Sequence, residues 1–248
     1  MTGDILMAGP VTRIAVWSGP RNLSTAFMRS FENRPDTSVL DEPLYAHYLA
    51  VTGLDHPMRD EIISAGPVDE HDAIAACLAP ADVAVSYQKH MAHHLLPAMD
   101  RAWLDLIDHH FLLLRHPARV LASYTRKRDG AISVADLGLP QQIELLERFD
   151  RPLVIDSDDF LLDPEAYLRA MCERSGLEFA PRMLQWSAGP RDSDGVWAPH
   201  WYDAVWASTG FARQRQVQPL PEVEPLSRAV LDEALPLYEV LSAARLVL

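Results

Sequence analysis

The sequence predicts a single α/β domain, 1–248, in which a mostly parallel central sheet is flanked by helices in three layers. Short apolar runs alternate along the chain with helical patterns, which is typical of parallel strands joined by helical crossovers. The 248 residues also suit one such domain, and 48% hydrophobic with 23% charged residues is the balance of a globular protein.

Five strands are predicted at short apolar runs, at residues 13–17, 38–40, 83–87, 110–114 and 153–155. Helices are predicted at about 24–31, from 117, from 164 to near 176, and at about 227–241. Pro117 and Pro164 each stand at a first helical position, where proline is favoured. Residues 190–210, rich in tryptophan and polar groups, are predicted to be a long functional loop outside the core.

The formal net charge of −13 argues against general nucleic-acid binding and against anionic membranes, since such binders present basic surfaces. Apolar runs fall short of a membrane span, and residues 1–10 lack the basic start of a secretory signal. The two cysteines, Cys77 and Cys172, suit a reduced cytoplasm. We expect both to be buried small hydrophobes, with a disulfide as the alternative.

Basic residues are unevenly distributed in this acidic chain. The densest cluster consists of Arg115, Arg119, Arg126, Lys127 and Arg128. Such a cluster predicts a site for a small anion, although a solvated helix face would look the same in sequence.

A strand, a tight turn and a helix start follow one another at residues 17–25. Free backbone N–H groups at a helix N-terminus, beside hydroxyls and a cation, form a cradle for phosphate or sulfate oxygens. The candidate residues are Ser18, Gly19, Pro20, Arg21, Asn22, Leu23, Ser24 and Thr25. Ser24 and Thr25 could instead be simple N-caps. The fold is predicted to be P-loop NTPase-like, but the glycine-lysine-serine/threonine of ATP- or GTP-hydrolysing loops is missing.

A second candidate site follows the fourth predicted strand. Arg115 lies just past that strand, and Ser123 falls two turns into the next helix, so both can face the crevice at the carboxyl edge of the sheet. An arginine fork with a hydroxyl suits a phosphate monoester. The alternative is that Arg115 pairs with an acid and Ser123 only packs.

These motifs resemble those of the sulfotransferase family. Residues 20–25 look like its 5′-phosphosulfate loop, and residues 114–124 are similar to its 3′-phosphate motif, an arginine, a proline and then a serine. Residues 157–179 resemble its late helix, so the blocks stand in family order. The similarity is greatest to a bacterial and plant subgroup with Trp-Ser-Gly-Pro-Arg-Asn and Asp-Glu-Pro-Leu-Tyr. Asn22 and Leu23 depart from the serine and glycine that the family usually has.

The resemblance implies an enzyme that transfers a sulfuryl group from 3′-phosphoadenosine 5′-phosphosulfate to a hydroxyl or amine of a small acceptor. It lends the role of base to Glu42, which follows the second predicted strand; Glu42 could instead pair with Arg21 and organise the loop. Arg21 would hold charge on the leaving oxygen, and Lys89 could reach the sulfonate or be a solvated strand end.

Histidines and tryptophans supply the remaining candidates. One of His90, His93 and His94 could be the base instead, while their spacing does not favour a metal, so no metal is expected. Trp197, His200 and Trp201 are predicted to line the acceptor pocket, or the tryptophans only pin the loop. A P-loop kinase-like phosphotransferase and a non-catalytic nucleotide-binding protein remain the alternative functions.

Overall fold

The central sheet has five parallel strands. A computed structural model of the chain describes residues 11–126 and 132–248. The strands are β1 (Thr12–Ser18), β2 (Thr37–Asp41), β3 (Val85–Met91), β4 (His109–Leu114) and β5 (Leu153–Asp156), in the spatial order β2-β3-β1-β4-β5. All four neighbouring pairs are parallel, so every carboxyl end of a strand lies at the same edge. The predicted α/β class is confirmed.

Helices cover both faces of this sheet. They are α1 (Ser24–Glu32), α2 (Tyr45–Thr52), α3 (Arg59–Ala65), α4 (Glu70–Leu78), α5 (Pro117–Tyr124), α6 (Leu139–Arg148), α7 (Ser157–Leu162), α8 (Pro164–Arg174), α9 (Ala198–Trp201), α10 (Asp203–Trp206) and α11 (Arg228–Ala243). Short 3₁₀ turns lie at Ala92–His94, Ala102–Leu106, Ala135–Leu137, Pro181–Leu184 and Pro225–Ser227.

Side-chain alternation along the strands sends apolar residues into two cores. Val16 of β1 packs among residues of α1, α2 and α8 on one face, while Trp17 packs among residues of α4, α5, α6 and α11 on the other. Both side chains are fully buried. The three layers follow from strands that are apolar on both sides and helices with one apolar face.

Two predicted boundaries are wrong. β3 does not stop at residue 87 but continues through the polar residues Gln88, Lys89 and His90 to Met91, all of them buried. Residues 190–210 are not a loop outside the core, because they contain α9 and α10, and Trp197 and Tyr202 are part of the core that packs on α1.

Some predicted features lie outside the described residues, namely residues 1–10 and the basic residues Lys127 and Arg128. In the described part, Cys77 and Cys172 are buried and unpaired, as predicted. None of the helices described here has both the length and the apolar character that a membrane span requires.

Candidate active site

The turn between β1 and α1 leaves the N-terminus of this helix open. Leu23 is the N-cap residue, with a left-handed backbone (φ 63°) and no capping side chain. The first bond of α1 joins the N–H of Phe27 to the C=O of Leu23, so the N–H groups of Ser24, Thr25 and Ala26 have no helical carbonyl to bond. Ser24 and Thr25 are therefore not N-caps, contrary to the alternative. An open helix N-terminus favours an anion.

Two contacts fix the shape of this turn. A Cβ atom on Gly19 would lie 2.3 Å from the carbonyl oxygen of Leu137, so the chain can approach the turn at 135–137 this closely only without a side chain. The side-chain amide of Asn22 donates to the carbonyl oxygen of Leu113 in β4 at 3.0 Å. Asn22 thus ties the loop to the neighbouring strand. Its side chain is longer than that of the serine that the sulfotransferase motif usually has at this position.

Arg21, Arg115 and Ser123 meet beside the turn. The Nε group of Arg21 donates to Oγ of Ser123 at 3.0 Å, and Nη1 of Arg115 donates to the carbonyl oxygen of Arg21 at 2.6 Å. Within the described part of the chain, neither guanidinium forms an ion pair with a carboxylate. The alternative in which Arg115 pairs with an acid is therefore wrong, and Glu42 does not pair with Arg21.

Burial affects both of these arginines. It lowers the pKa of the Arg21 guanidinium, an effect that attraction from Asp203 partly offsets, and it likewise lowers the pKa of Arg115. A guanidinium remains charged in spite of such a shift. Two half-buried cations that form no carboxylate ion pair within the described residues, next to an open helix N-terminus, form a site suited to an anion.

A buried ionic cluster lies at the ends of β2 and β3. Nζ of Lys89 is 2.9 Å from Oδ1 of Asp41, 2.5 Å from Oε1 of Glu42 and 2.5 Å from the hydroxyl of Tyr202. That hydroxyl is also 2.7 Å from Oδ2 of Asp41, and it accepts a hydrogen bond from Nε1 of Trp197 at 3.0 Å. Lys89 is 1% exposed, so the alternative of a solvated strand end is wrong.

The protonation of this cluster follows from burial and charge. Burial raises the pKa of Glu42, Lys89 opposes that change, and Asp41 adds to it. For Lys89, burial alone would lower the pKa, but Asp41 and Glu42 together outweigh burial and leave the pKa raised. Burial, followed by the two carboxylates, raises the pKa of Tyr202 well above its ordinary value. Lys89 and Tyr202 therefore stay protonated, and burial makes the Glu42 carboxylate a stronger proton acceptor than an exposed one.

One cavity, with about 920 Å³ of empty space that includes its open mouth, joins the arginines to the ionic cluster. The predicted site residues on its wall are Pro20, Arg21, Asn22, Leu23, Ser24, Thr25, Glu42, Lys89, Arg115 and Trp201. Ser18 and Gly19 lie behind the turn, and Ser123 adjoins the wall through Arg21.

The predicted acceptor residues are divided between the wall and the layer behind it. Trp201 lines the cavity, whereas Trp197 and His200 are not among its lining residues. Trp197 is buried behind Tyr202 and packs edge-on against Tyr45, and His200 packs edge-on against Trp201. Trp197 thus supports the wall instead of forming it.

The segment that carries Trp201 and Tyr202 is held by a second buried ion pair. Arg29 of α1 is 1% exposed and donates to Asp194, and Asp194 also accepts from Nε1 of Trp206 at 2.9 Å. The backbone N–H of Gly195 donates to Asp41 at 3.1 Å. These contacts dock residues 194–206 against the sheet edge.

The three histidines proposed as alternative bases are separated by the sheet. His93 and His94 line the cavity, whereas His90 points to the opposite core, where it stacks on Trp17 with ring centroids 4.2 Å apart. Burial lowers the pKa of His90 to about 3. His90 is therefore removed from the candidates for a base in this cavity.

Several cavity residues were missed by the sequence reasoning, namely Tyr45, His56, Met91, Tyr124, Tyr202, Ala204 and Val205, together with Asp41 behind the wall. For Asp41 and Tyr45 a signal existed, because both belong to the Asp-Glu-Pro-Leu-Tyr motif. Tyr202 had no such signal. Across the described residues, no group of three or more His, Cys, Asp or Glu is arranged to hold a metal ion.

Comparison with known proteins identifies the family. A family model described as a sulfotransferase domain matches residues 12–245. The chain belongs to the sulfotransferase family. The matched range includes the open helix N-terminus, both arginines and the ionic cluster, so the whole cavity of this sulfotransferase domain lies within it.

The curated relatives are longer proteins from Arabidopsis thaliana. The sulfotransferase domain is 37% identical over 231 residues to "Branched-chain-amino-acid aminotransferase-like protein 1" and 36% identical over 234 residues to "Branched-chain-amino-acid aminotransferase-like protein 2". These matches cover 91% and 92% of this chain but 40% and 41% of the relatives. The chain therefore spans about two fifths of their length.

Solved sulfotransferase structures share the fold. The sulfotransferase from Alicyclobacillus acidocaldarius aligns with a TM-score of 0.57 at 15% identity, covering 97% of this chain and 98% of that one. The sulfotransferase domain from the curacin biosynthetic pathway aligns with a TM-score of 0.54 at 15% identity, covering 91% and 98%. At such identities the likeness establishes the architecture alone.

Proposed function

We propose that this domain transfers a sulfuryl group from 3′-phosphoadenosine 5′-phosphosulfate to a hydroxyl or amine of a small acceptor. The observation that carries the proposal is that one cavity holds both a glutamate whose pKa burial raises and two arginines that form no ion pair with any described carboxylate. Membership of the sulfotransferase family supports the type of reaction.

The chemistry of the donor fits the residues at the loop end of the cavity. Its 5′ side would lie on the open N-terminus of α1, with Arg21 beside it, while Arg115 and Ser123 would hold the 3′-phosphate. The donor, once bound, supplies an activated sulfuryl group whose bond to a phosphate oxygen breaks as the acceptor attacks. Arg21 stabilises the negative charge that develops on the leaving oxygen.

The ionic cluster prepares the acceptor. Glu42 accepts the proton of the acceptor hydroxyl or amine, which requires a carboxylate whose pKa is not far below the working pH. Lys89 and Tyr202 hold that carboxylate in place, because both are within 3.5 Å of Oε1 of Glu42. Direct contact of Lys89 with the sulfonate remains a prediction, and such contact would require Lys89 to turn away from one carboxylate.

A nucleotide titration tests the proposal. Calorimetry should show 3′-phosphoadenosine 5′-phosphate binding much more tightly than ATP, and transfer to an acceptor should persist in the presence of EDTA. Tighter binding of ATP, with activity that needs magnesium, would favour the kinase-like alternative. Binding of the bisphosphate without transfer to a broad panel of alcohols, phenols and amines would favour a non-catalytic binding protein.

A further inference from the structure

Charge is divided unequally between the two ends of the cavity. The loop end carries Arg21 and Arg115, neither of which forms an ion pair with a carboxylate in the described residues. At the other end, Lys89 faces two carboxylates, those of Asp41 and Glu42. One cation against two carboxylates leaves this cluster neutral when Glu42 is protonated and negative when Glu42 is ionised. The cluster therefore has no positive charge to offer a ligand.

The wall beyond the ionic cluster consists of aromatic rings. Tyr45 stacks on His94 with centroids 4.4 Å apart, and its hydroxyl lies 3.0 Å from Nδ1 of His56. His93 packs edge-on against His94 at 4.5 Å, and all four side chains are buried. Burial, then the neighbouring His93 and His56, lowers the pKa of His94 well below its ordinary value. The closeness of His93 and His56 therefore disfavours a positive charge on His94.

We propose that the acceptor site selects a small alcohol, phenol or amine that carries no negatively charged group. The proposal rests on the proposed function, because that function assigns the end beyond Glu42 to the acceptor. A carboxylate or phosphate on the acceptor would be buried against the Glu42 carboxylate and the aromatic wall. Nothing in the described lining of this end supplies an uncommitted cation for it.

Three phenols of similar size test this selection. They are 4-ethylphenol, which is neutral, tyramine, which is cationic, and 4-hydroxyphenylacetate, which is anionic. Their affinities are measured by calorimetry on the protein saturated with 3′-phosphoadenosine 5′-phosphate. We expect the anionic phenol to bind at least about tenfold more weakly than each of the others, which corresponds to about 1.4 kcal/mol. Equal or tighter binding of 4-hydroxyphenylacetate would overturn the proposal.

A pair of variants tests whether charge is the cause. His56→Lys places a cation in the wall, whereas His56→Gln changes shape without adding charge. The lysine variant should reduce the difference in affinity between 4-ethylphenol and 4-hydroxyphenylacetate, and the glutamine variant should preserve that difference. An unchanged difference in affinity in a folded lysine variant contradicts the proposal. If that variant does not fold, the three affinities of the unmodified protein decide whether the anionic phenol is disfavoured.

Different results would reject the proposed function and the selection by charge. If the bisphosphate does not bind, or if no member of the panel of alcohols, phenols and amines is sulfated, the donor or the reaction has been assigned wrongly. In that case the effect of His56→Lys on the difference in affinity between 4-ethylphenol and 4-hydroxyphenylacetate, measured on the protein without nucleotide, still tests this end of the cavity, because Arg21 and Arg115 are the same in both proteins.

Discussion

Nζ of Lys89 lies 2.5 Å from Oε1 of Glu42, although both side chains are buried and Lys89 also binds a second carboxylate, that of Asp41. A buried ion pair contributes little net stability, but removing one partner leaves the other charge uncompensated. The lysine is the shared partner here, so the three charged side chains of the cluster differ in what their removal leaves behind.

We expect Lys89→Met to lower the free energy of unfolding by about 3–5 kcal/mol, because it leaves two carboxylates buried together. Asp41→Asn and Glu42→Gln each leave one lysine with one carboxylate and should cost much less. Urea denaturation of the three variants measures the difference. Equal losses in all three would mean that Lys89 stabilises the fold by packing and not by charge.

Arg115 provides a test of nucleotide recognition. Arg115→Ala should weaken binding of 3′-phosphoadenosine 5′-phosphate by about 2–3 kcal/mol, while adenosine 5′-phosphate, which lacks the 3′ group, should lose much less. Calorimetry measures both affinities. Arg148→Ala, which removes an arginine that pairs with Asp105 in another part of the molecule, is the matched control. Similar losses for the two nucleotides would exclude Arg115 from 3′-phosphate recognition.

Glu42 and Arg21 should separate turnover from donor binding. Glu42→Gln should lower turnover by about 100-fold or more with nearly unchanged donor affinity, whereas Arg21→Ala should impair both. The pH dependence adds a second readout. Because the pKa of Glu42 is raised above its ordinary 4.5, activity should fall as the pH drops through that raised value, and Glu42→Gln should lose this limb. Loss of donor binding in Glu42→Gln would instead indicate a residue that organises the loop.

Sequence reasoning located the residues at strand ends because parallel strands bring their carboxyl ends to one edge. Arg21, Glu42 and Arg115 each follow a strand, and all three line the cavity. It failed for the polar half of β3, where Gln88 and His90 interrupt the apolar pattern. These residues tolerate burial because Gln88 donates to the carbonyl oxygen of Cys77 and accepts from His90, contacts that local sequence does not encode.

Tyr202 could not be predicted for a different reason. Its hydroxyl contacts Asp41, which lies 161 positions away in the sequence. In addition, a tyrosine among tryptophans is as typical of a surface as of a core. Its place follows from docking of the whole 194–206 segment. Such long-range contacts depend on packing between elements and not on local periodicity.

The core around Trp17, on the other face of the sheet from α1, contains histidines that make the stability of the protein sensitive to acid. His110 accepts from Nε1 of Trp17 at 3.0 Å, and its other ring nitrogen lies 3.0 Å from the carbonyl oxygen of Leu104, an arrangement that needs a neutral ring. Burial lowers the pKa of His110 to about 4, against an ordinary 6.5. The unfolded chain therefore binds this proton first, and stability is lost as the pH falls from about 6.5 to about 4.

His110→Gln should reduce this loss by up to about 1.4 kcal/mol per pH unit, the contribution of one proton. Urea denaturation at a series of pH values between 7 and 4 measures the slope, and His71→Gln, at an exposed position, is the control. A slope that His110→Gln leaves unchanged would show that this ring does not cause the acid sensitivity.

Gly19 provides a steric test of the turn between β1 and α1. Gly19→Ala should destabilise the protein by about 1–3 kcal/mol and weaken bisphosphate binding, because a Cβ atom would collide with the carbonyl oxygen of Leu137. Gly53→Ala is the comparison, since Gly53 has a positive φ of 66° but no atom within 4 Å of a built Cβ. Thermal denaturation and calorimetry report the two effects. Unaltered nucleotide affinity in Gly19→Ala would show that the loop is insensitive to this contact.

The 194–206 segment is held at two places, by one ion pair and by one hydroxyl that is hydrogen-bonded to Asp41. The Arg29–Asp194 pair and the Tyr202 hydroxyl hold the segment, while Ala204 and Val205 line the cavity beside them. Neither of these two side chains takes part in either of those contacts. A short, firmly held stretch of chain can therefore diversify during evolution, or be redesigned, to admit ligands of a new shape without rebuilding the end of the cavity that carries Arg21 and Arg115.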